Sequence, residues 1–371
     1  MKLVIERSAL LKSLGHVQSV VERRNAIAIL SNVLLEAAGG RLALSTTDMD
    51  VAITDAVEAE IATEGATTAP VHTLYDIVRK LPEGAQVELE ASDAGQMVLR
   101  AGRSTFNLSC LPRDDFPTPA DAELPHAFTL PAEELRALID RTRFAISTEE
   151  TRYYLNGIYI HATETEGVKV LRAVATDGHR LARIQMPLPD GAADMPGVIV
   201  PRKAISELRK LVDESTDPID ITLSDARIRF TFESVILTSK LIDGTFPDYQ
   251  RVIPAENDKT LEVDCREFTA AVDRVSTIST EKSRAIKLAL EKGNLVLSAS
   301  SPEAGTATEE LEVSYADDPV EIGFNSRYLL DITQQIEGDG AKLILADAAS
   351  PTIIQDASDA SALYVLMPMR V

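Results

Sequence analysis

One segment of the sequence places an acid, an imidazole and a guanidinium side by side. In residues 176–180, Thr-Asp-Gly-His-Arg, Asp177 could orient His179 as a general base. Hydrolases use such a pair, although no nucleophile accompanies it here. An Asp-Gly turn between a strand at 168–175 and the apolar Leu181 explains the same residues as a hairpin. A hydrolase is therefore one hypothesis for function, and the hairpin is its structural alternative.

Other common signatures of catalysis and metal binding are absent. The sequence has no P-loop, GxGxxG, HExxH, CxxC or GxSxG pattern, so nucleotide hydrolysis, dinucleotide binding, zinc proteolysis and the usual serine-hydrolase route lack support. No histidine lies within four residues of another, and Cys110 and Cys265 are the only cysteines. Two cysteines are too few for a disulfide framework or a thiolate metal site. We expect no metal and no cofactor, with both cysteines as small core residues.

The composition is that of an acidic globular protein. The 371 residues include 37 Lys and Arg and 58 Asp and Glu, a formal charge of −21, and 45% are apolar. Such a chain can form two or three domains, each with its own core. No run approaches 18 consecutive apolar residues, and charge interrupts the apolar start at Lys2 and Glu6, so we expect neither a membrane span nor a signal peptide. These features predict a cytosolic protein.

Two kinds of segment recur along the chain at matching distances. The first reads as an extended run, a polar break and apolar positions at helical spacing, and covers residues 3–21, 128–146 and 261–279. The second reads as a helix, a turn and two alternating strands, and covers residues 69–101, 200–232 and 324–356. An Asp-Ala turn joins the two strands at Asp93, Asp225 and Asp347. Both landmarks give one period of roughly 120 to 130 residues.

The repeats predict an α+β protein of three tandem domains, each with two helices packed on an antiparallel sheet. The predicted domains are residues 1–125, 126–253 and 254–371. Proline-rich connections at 111–127 and 242–259 fit this division, because proline cannot continue a central strand or helix. The predicted helices are residues 8–22, 72–81, 132–145, 201–212, 265–276 and 325–336.

Charge is segregated by element type. The six predicted helices hold 13 Lys and Arg and nine Asp and Glu, a net charge of +4, so the rest of the chain carries −25. Any solvated helix face collects such cations, which is one interpretation. The other is that equivalent helices line one surface as a basic stripe that contacts the phosphates of a polyanion without reading its sequence.

A tandem array of sheet-containing domains also has two open ends. Exposed sheet edges promote aggregation, and head-to-tail association that closes into a ring removes them. Three repeats in one chain leave open whether two or three chains close such a ring. A monomeric peptide-binding scaffold is a further hypothesis.

Four longer motifs, in the same order, resemble one family: the bacterial sliding clamp, the beta subunit of DNA polymerase III. They are TRYYLNGI (151–158), ATDGHRLA (175–182), SKLIDGTFPDYQRVIP (239–254) and YVLMPMRV (364–371), and the similarity runs from Met1 to Val371. The resemblance implies a non-catalytic processivity factor, a head-to-tail homodimeric ring around duplex DNA with helices inside and sheets outside. The implied partners are double-stranded DNA, the polymerase III alpha subunit, the clamp loader, and other polymerases and repair proteins with clamp-binding peptides.

The resemblance also implies a hydrophobic pocket between the second and third domains that captures short motifs of those partners. Its implied apolar walls are Leu155, Leu181, Val252, Val365 and Leu366. The flexible methionines that would adapt to different guests are Met367 and Met369, and the rim cations are Arg251 and Arg370. The other implied members are Thr176, Gly178, His179, Arg180, Pro247 and Pro368.

Two further surfaces are implied by the same resemblance. The implied DNA contacts are Arg24, in the loop after the first helix, and by position Arg79, Lys80, Arg202 and Lys203. The implied subunit interface comprises Arg103, Phe106, Ile278, Glu303 and Glu309. Two departures weaken the electrostatics: Glu149 stands where a neutral residue near the DNA path is expected, and residues 301–310 have Gly305 and Thr306 in place of carboxylates.

Overall fold

Each third of the chain has the same order of elements: a strand, a helix, four or five strands, a second helix and three strands. The computed structural model describes residues 1–92, 95–118, 123–279 and 284–370. In the first third the elements are β1 (Lys2–Glu6), α1 (Arg7–Gln18), β2 (Asn32–Ala38), β3 (Arg41–Thr47), β4 (Val51–Glu58), β5 (Glu60–Thr63), β6 (Gly65–Pro70), α2 (Val71–Lys80), β7 (Gln86–Ser92), β8 (Gln96–Ala101) and β9 (Ser104–Ser109).

The other two thirds repeat this order without a counterpart of the short β5. The middle third contains β10 (His126–Leu130), α3 (Ala132–Arg143), β11 (Gly157–Thr165), β12 (Val168–Thr176), β13 (Arg180–Pro187), β14 (Val198–Pro201), α4 (Arg202–Glu214), β15 (Ile219–Leu223), β16 (Arg227–Thr231) and β17 (Val235–Lys240). The last third contains β18 (Lys259–Asp264), α5 (Cys265–Ser276), β19 (Ala285–Glu291), β20 (Asn294–Ser301), β21 (Gly305–Glu312), β22 (Val320–Asn325), α6 (Ser326–Thr333), β23 (Gly340–Leu345), β24 (Thr352–Asp356) and β25 (Ala362–Leu366).

All six predicted helices are confirmed, and each begins within one residue of its predicted start. Polar caps set several of these starts: the side chain of Asp264 accepts the backbone N–H of Glu267 at 2.8 Å, and that of Asn325 accepts the N–H of Arg327 at 3.0 Å. The turns at Asp225 and Asp347 come after β15 and β23 as predicted, whereas the turn at Asp93 lies outside the described residues.

Antiparallel pairing in the described ranges builds two sheets that are each shared between neighbouring thirds. Their strand orders are β10-β15-β16-β17-β4-β3-β2-β6 and β14-β11-β12-β13-β25-β24-β23-β18. The same pairing joins the repeats in both sheets. Strand number three after the first helix of one repeat pairs with the last strand of the next repeat: β4 with β17, and β13 with β25. The remaining sheets, β5-β1-β7-β8-β9 and β21-β20-β19-β22, leave β9 and β21 at their edges.

The chain forms two compact units that do not coincide with the repeats. Unit 1 comprises Met1–Arg136, Pro189–Pro196 and Lys203–Leu241, and unit 2 comprises Ala137–Leu188, Gly197–Arg202 and Ile242–Val371. The middle third is divided because its two sheet halves pair with different neighbours. The repeat boundaries near residues 125 and 253 stay predictions.

The two cysteines have the properties of packing residues. Cys265 is buried and Cys110 is half-buried, and both are free thiols. Burial raises the pKa of each thiol, which keeps it in the unreactive protonated form. In the ranges that the structure covers, no helix is long and apolar enough to cross a membrane.

An ionisable cluster in unit 1 joins α1 to β4 and to the end of α4. The Nδ1 of His16 lies 2.7 Å from Asp55 Oδ2, and its Nε2 lies 3.0 Å from Glu214 Oε2. Ionised carboxylates only accept hydrogen bonds, so both ring nitrogens donate and the imidazole is a cation. Burial alone would lower the pKa of His16, but the hydrogen bonds to Asp55 and Glu214 outweigh it and raise that pKa above its ordinary value.

Replacing His16 by Ala is expected to lower the free energy of unfolding by about 3 kcal/mol near pH 6, because Asp55 would stay buried without its cationic partner. A raised histidine pKa stabilises fully below the unfolded value of 6.5, and this stabilisation is lost as pH rises through the folded pKa. The native chain should therefore lose stability as pH rises from 6.5 through the folded pKa of His16, and the variant should not. Urea denaturation across this range measures both quantities.

The variant Glu214→Gln is the control for that measurement. The side chain of Glu214 is 51% exposed, so its loss should cost less than about 1 kcal/mol. An unchanged pH dependence in the His16 variant would contradict the cationic assignment.

Candidate functional site

A cluster of buried apolar side chains in unit 2 brings together three of the predicted pocket residues. Leu155, Leu181 and Val365 are 5%, 3% and 2% exposed, and they pack in this one cluster. Its other buried members, which the sequence did not single out, are Val174, Ile199, Phe246, Tyr249, Ile353 and Leu363. We call these nine residues the apolar cluster.

Strand register explains why these positions meet. Leu181 on β13 pairs with Val365 on β25, and Val365 pairs with Ile353 on β24. Directly paired residues point to the same face of a sheet, so the three side chains form one row. Leu366 comes directly after Val365 and points to the other face, where it is fully buried outside the cluster. The structure therefore does not make Leu366 a wall of this site.

The segment after β17, which the sequence suggested was a linker, is part of the packed structure. Phe246 and Tyr249 are 8% and 5% exposed. The ring of Phe246 stacks on Tyr159 with centroids 4.9 Å apart, and the hydroxyl of Tyr249 is 3.0 Å from both His161 Nε2 and Arg172 Nη1. These anchors fix the path of the segment through the cluster.

The predicted pocket residues of the same segment lie at the surface. Pro247 is exposed and Val252 is 47% exposed. The side chain of Arg251 is 86% exposed, with Nε 2.8 Å from Asp248. The segment thus presents apolar and cationic groups beside the buried cluster.

The turn at residues 177–179 is a hairpin rather than a catalytic pair. Oδ1 of Asp177 accepts the backbone N–H groups of His179 at 2.9 Å and Arg180 at 3.0 Å. The imidazole of His179 instead stacks on Tyr328, with ring centroids 6.2 Å apart. Gly178 between them has a φ of 87°, a conformation that glycine adopts at no steric cost. The carboxylate orients the turn and not the imidazole, which removes the basis for the hydrolase hypothesis.

Arg180 is held inside the protein by its own contacts. Its guanidinium bonds to Asp177 at 3.2 Å, Asp331 at 2.5 Å and the carbonyl of Phe144 at 2.7 Å, and it stacks over the ring of Tyr328 at 4.3 Å. Only 9% of the side chain is exposed. Arg180 therefore fixes the hairpin and Tyr328 in place, and its polar groups are committed to these partners.

The C-terminal tail completes the surface around the apolar cluster. The N–H of Met367 donates to the carbonyl of His179 at 2.9 Å, and the N–H of Met369 donates to that of Gly323 at 2.8 Å. Met367 is 40% exposed, Pro368 and Met369 are half-buried, and Arg370 is exposed. Tyr153 in unit 2 is, like Met367, a large hydrophobic side chain that is exposed. Exposed apolar groups beside a buried cluster are typical of a surface that a partner covers.

The predicted DNA-binding cations differ in how far their charge is already paired. Arg24 and Lys80 are exposed, while Arg79 is 3.1 Å from Asp76. Lys203 forms an ion pair with Asp48. Burial alone would raise the pKa of Asp48, but hydrogen bonds from Lys203 and from two backbone N–H groups outweigh it and lower that pKa. Arg202 is an exposed residue at the start of α4.

Ion pairing reduces the basic excess counted for the helices. Of the 13 helical cations, at least nine have a carboxylate oxygen within 4.0 Å: Lys12, Arg79, Arg136, Arg141, Arg143, Lys203, Arg209, Lys210 and Arg274. The field of a paired cation falls off faster than that of an isolated one, so the helices attract polyanions less than their count suggests.

The predicted interface residues lie at or near the two sheet edges. Arg103 precedes β9, and Phe106 is half-buried on it. Glu303 is exposed before β21, and Ile278 is half-buried just after α5. Glu309 on β21 already accepts a hydrogen bond from Arg274 at 3.1 Å, which holds its pKa below the usual range. Glu309, one of the two acids predicted to lie in the subunit interface, thus already has a partner within its own chain.

Comparison with known proteins agrees with the repeat. Family models of the DNA polymerase III beta subunit match three consecutive stretches: the N-terminal domain at residues 1–120, the central domain at 129–248 and the C-terminal domain at 250–370. The chain is 56% identical to the beta sliding clamp of Caulobacter vibrioides strain NA1000 and 40% identical to that of Escherichia coli K12. Both alignments span 372 residues and cover 100% of each chain.

Solved structures agree with these matches. A sliding clamp from Bartonella birtlesii bound to griselimycin is 50% identical with a TM-score of 0.97 and full coverage of both chains. A beta sliding clamp from Caulobacter crescentus is 56% identical with a TM-score of 0.98, covering 100% of this chain and 99% of that one.

Proposed function

The chain belongs to the DNA polymerase III beta subunit family, the bacterial sliding clamps, and from that premise we propose which of its surfaces bind DNA, partner peptides and a second copy. It is a non-catalytic processivity factor of DNA replication. The observation that carries this conclusion is the match of all three family domains, in order, along the chain. We further propose that it acts in the cytoplasm, where bacterial DNA is replicated.

We propose that two copies close head to tail into a ring, with β9 of each copy pairing with β21 of the other. The two shared sheets within the chain support this pairing, because β4 and β13 occupy the same place in their repeats as β21, and β17 and β25 the same place as β9. Arg103, Phe106, Ile278, Glu303 and Glu309 would lie at or near this contact. Sedimentation at micromolar concentration tests it, since a persistent monomer would favour the peptide-binding scaffold instead.

We propose that the apolar cluster and the exposed groups around it bind short apolar peptide motifs. Expected partners are the polymerase III alpha subunit, the clamp loader, and other polymerases and repair proteins. The combination of a desolvated apolar floor with adaptable methionines and exposed cations suits several guests. The relative from Bartonella birtlesii has been solved with griselimycin bound, which makes that compound a useful competitor for the binding assay.

We propose that Arg24, Arg79, Lys80, Arg202 and Lys203 contact phosphates of the encircled duplex. Each neutralised phosphate should contribute about −0.9 to the slope of log K against log salt. Lys203 must give up its ion pair with Asp48 to contact a phosphate. Replacing Lys203 should therefore change this slope less than replacing Arg24.

Topological linkage gives the decisive test. The chain, loaded by its clamp loader with ATP onto nicked circular DNA, should stay bound at a salt concentration that dissociates simple phosphate contacts. Cutting the circle once should release it at the same salt. Equal retention on circular and linear DNA would overturn the encircling function.

A further inference from the structure

The four-stranded sheet β21-β20-β19-β22 carries a concave surface on one face. Its buried face presents Ile286, Leu288 and Leu297, and the alternate residues line a depression of about 820 Å³ on the other face. We call this depression the trough. Ligand sites in proteins commonly have volumes of about 300 to 1,000 Å³, so the trough is large enough to hold a peptide segment.

Strand register lays out the floor of the trough. Thr308 pairs with Ser298, Ser298 with Lys287, and Lys287 with Gly323, and Gly323 forms a bridge with Met369 of the tail. Four steps between neighbouring strands span about 19 Å, which is the length of about six residues of extended chain. The floor therefore runs across the whole sheet and ends at the tail.

The trough shares two residues of the C-terminal tail with the proposed peptide site. Met369 and Arg370 line the trough and also belong to the tail at the edge of the apolar cluster. The hydrogen bond from Met369 N–H to Gly323 fixes the tail against the edge strand β22. A polypeptide bound beside the tail would reach the trough with its next few residues.

The chemistry of the floor suits an extended backbone. Ser298, Ser300, Thr306 and Thr308 supply hydroxyls, each of which can donate and accept a hydrogen bond. An extended chain presents alternating N–H and C=O groups that need both kinds of partner. The exposed Arg370 adds a cation at the end where the chain would enter.

We propose that the trough binds the stretch of partner polypeptide that flanks the motif held by the apolar cluster. This proposal rests on the proposed peptide site. That stretch lies extended across the sheet, with small or polar side chains toward the floor and an acidic residue near Arg370. The motif supplies the anchor, and the trough distinguishes partners by the residues that flank this anchor.

Fluorescence anisotropy with two labelled peptides tests this. One is the shortest segment of the cognate polymerase III alpha subunit that binds the full-length chain, found by scanning overlapping 15-residue peptides. The other is the same segment extended by six native residues at each end. We expect the extended peptide to bind about tenfold more tightly, and the variant Ser298→Tyr to remove that gain while changing the affinity of the short peptide less than twofold.

The variant Asn294→Tyr is the matched control, because Asn294 lies on the same strand and face as Ser298 but does not line the trough. It should keep the tenfold gain. Ala285→Tyr fills the trough from β19, away from the proposed dimer strand β21, and should repeat the effect of Ser298→Tyr. Equal affinities of the two peptides, or a gain that survives both tyrosines, would overturn this inference alone. Failure of every alpha-subunit peptide to bind would overturn the proposed peptide site together with it.

Discussion

Replacing Asn107 by Pro should convert the dimer into monomers and abolish retention on circular DNA. The N–H of Cys110 donates to the carbonyl of Gly95. In the β8–β9 ladder the backbone N–H and C=O groups of residues 110, 108, 106 and 104 therefore point toward β8. Asn107 therefore directs its N–H to the free edge. Proline there removes a donor to the partner and leaves the pairing with β8 intact.

The expected effect is large because a two-chain ring contains the same contact twice. Leaving an acceptor without its donor costs about 2 kcal/mol at each interface, so the dimer should weaken by about 4 kcal/mol, or roughly 10³-fold in Kd. Sedimentation equilibrium measures this value. Asn107→Ala keeps the N–H and should stay dimeric. Thr308→Pro, which by the same alternation faces the free edge of β21, should reproduce the monomer.

A proline variant with native dimer affinity would exclude β9 as the interface strand. Circular dichroism and thermal denaturation of the monomer should show a folded chain, because Asn107 is exposed at a sheet edge. A folded monomer that still remained on circular DNA would show that retention does not require a closed ring.

The helices could be predicted closely because their signals are local. Apolar spacing and polar caps such as Asp264 lie within a few residues of each helix start, and they act before any tertiary contact. The pairing of strands was not predictable, since β4 joins β17 across more than a third of the chain. For the same reason the compact units divide the middle repeat, which its sequence presents as one copy.

The sequence motifs locate the residues of the candidate site, but they do not show which side chains are buried, exposed or already paired. Leu155, Leu181 and Val365 meet as the resemblance implies. Phe246 and Tyr249 were missed because neighbouring prolines favoured a linker, although an aromatic pair in such a segment is a signal for packing. One partner of Arg180, Asp331, lies 151 residues away, and no local pattern could show that contact.

Deleting residues 367–371 should weaken binding of an alpha-subunit peptide by at least about 100-fold, or roughly 3 kcal/mol, while dimerisation survives. The deletion takes away the exposed Met367, the methionine that lies against Gly323, and the cation at Arg370. It leaves β9 and β21 unchanged. Anisotropy titration with the labelled peptide measures the loss, and sedimentation confirms the dimer. Peptide affinity within threefold of native would exclude the tail as part of the site.

Point variants separate a lost contact from a disturbed fold. Truncating Leu155 or Leu181 to Ala should weaken peptide binding by about 1 to 3 kcal/mol if either is a desolvated anchor, but both are buried and their loss also lowers stability. Val252 is 47% exposed, so Val252→Ala should weaken binding with little change in the melting temperature. Val168→Ala is its matched control. Val168 is 60% exposed in the same unit, and neither it nor its chain neighbours pack against the apolar cluster, whereas Val252 adjoins Ile253, which does. Peptide binding must fall in the first variant and stay native in the second, since an equal loss in both would mean that the cluster does not hold the peptide.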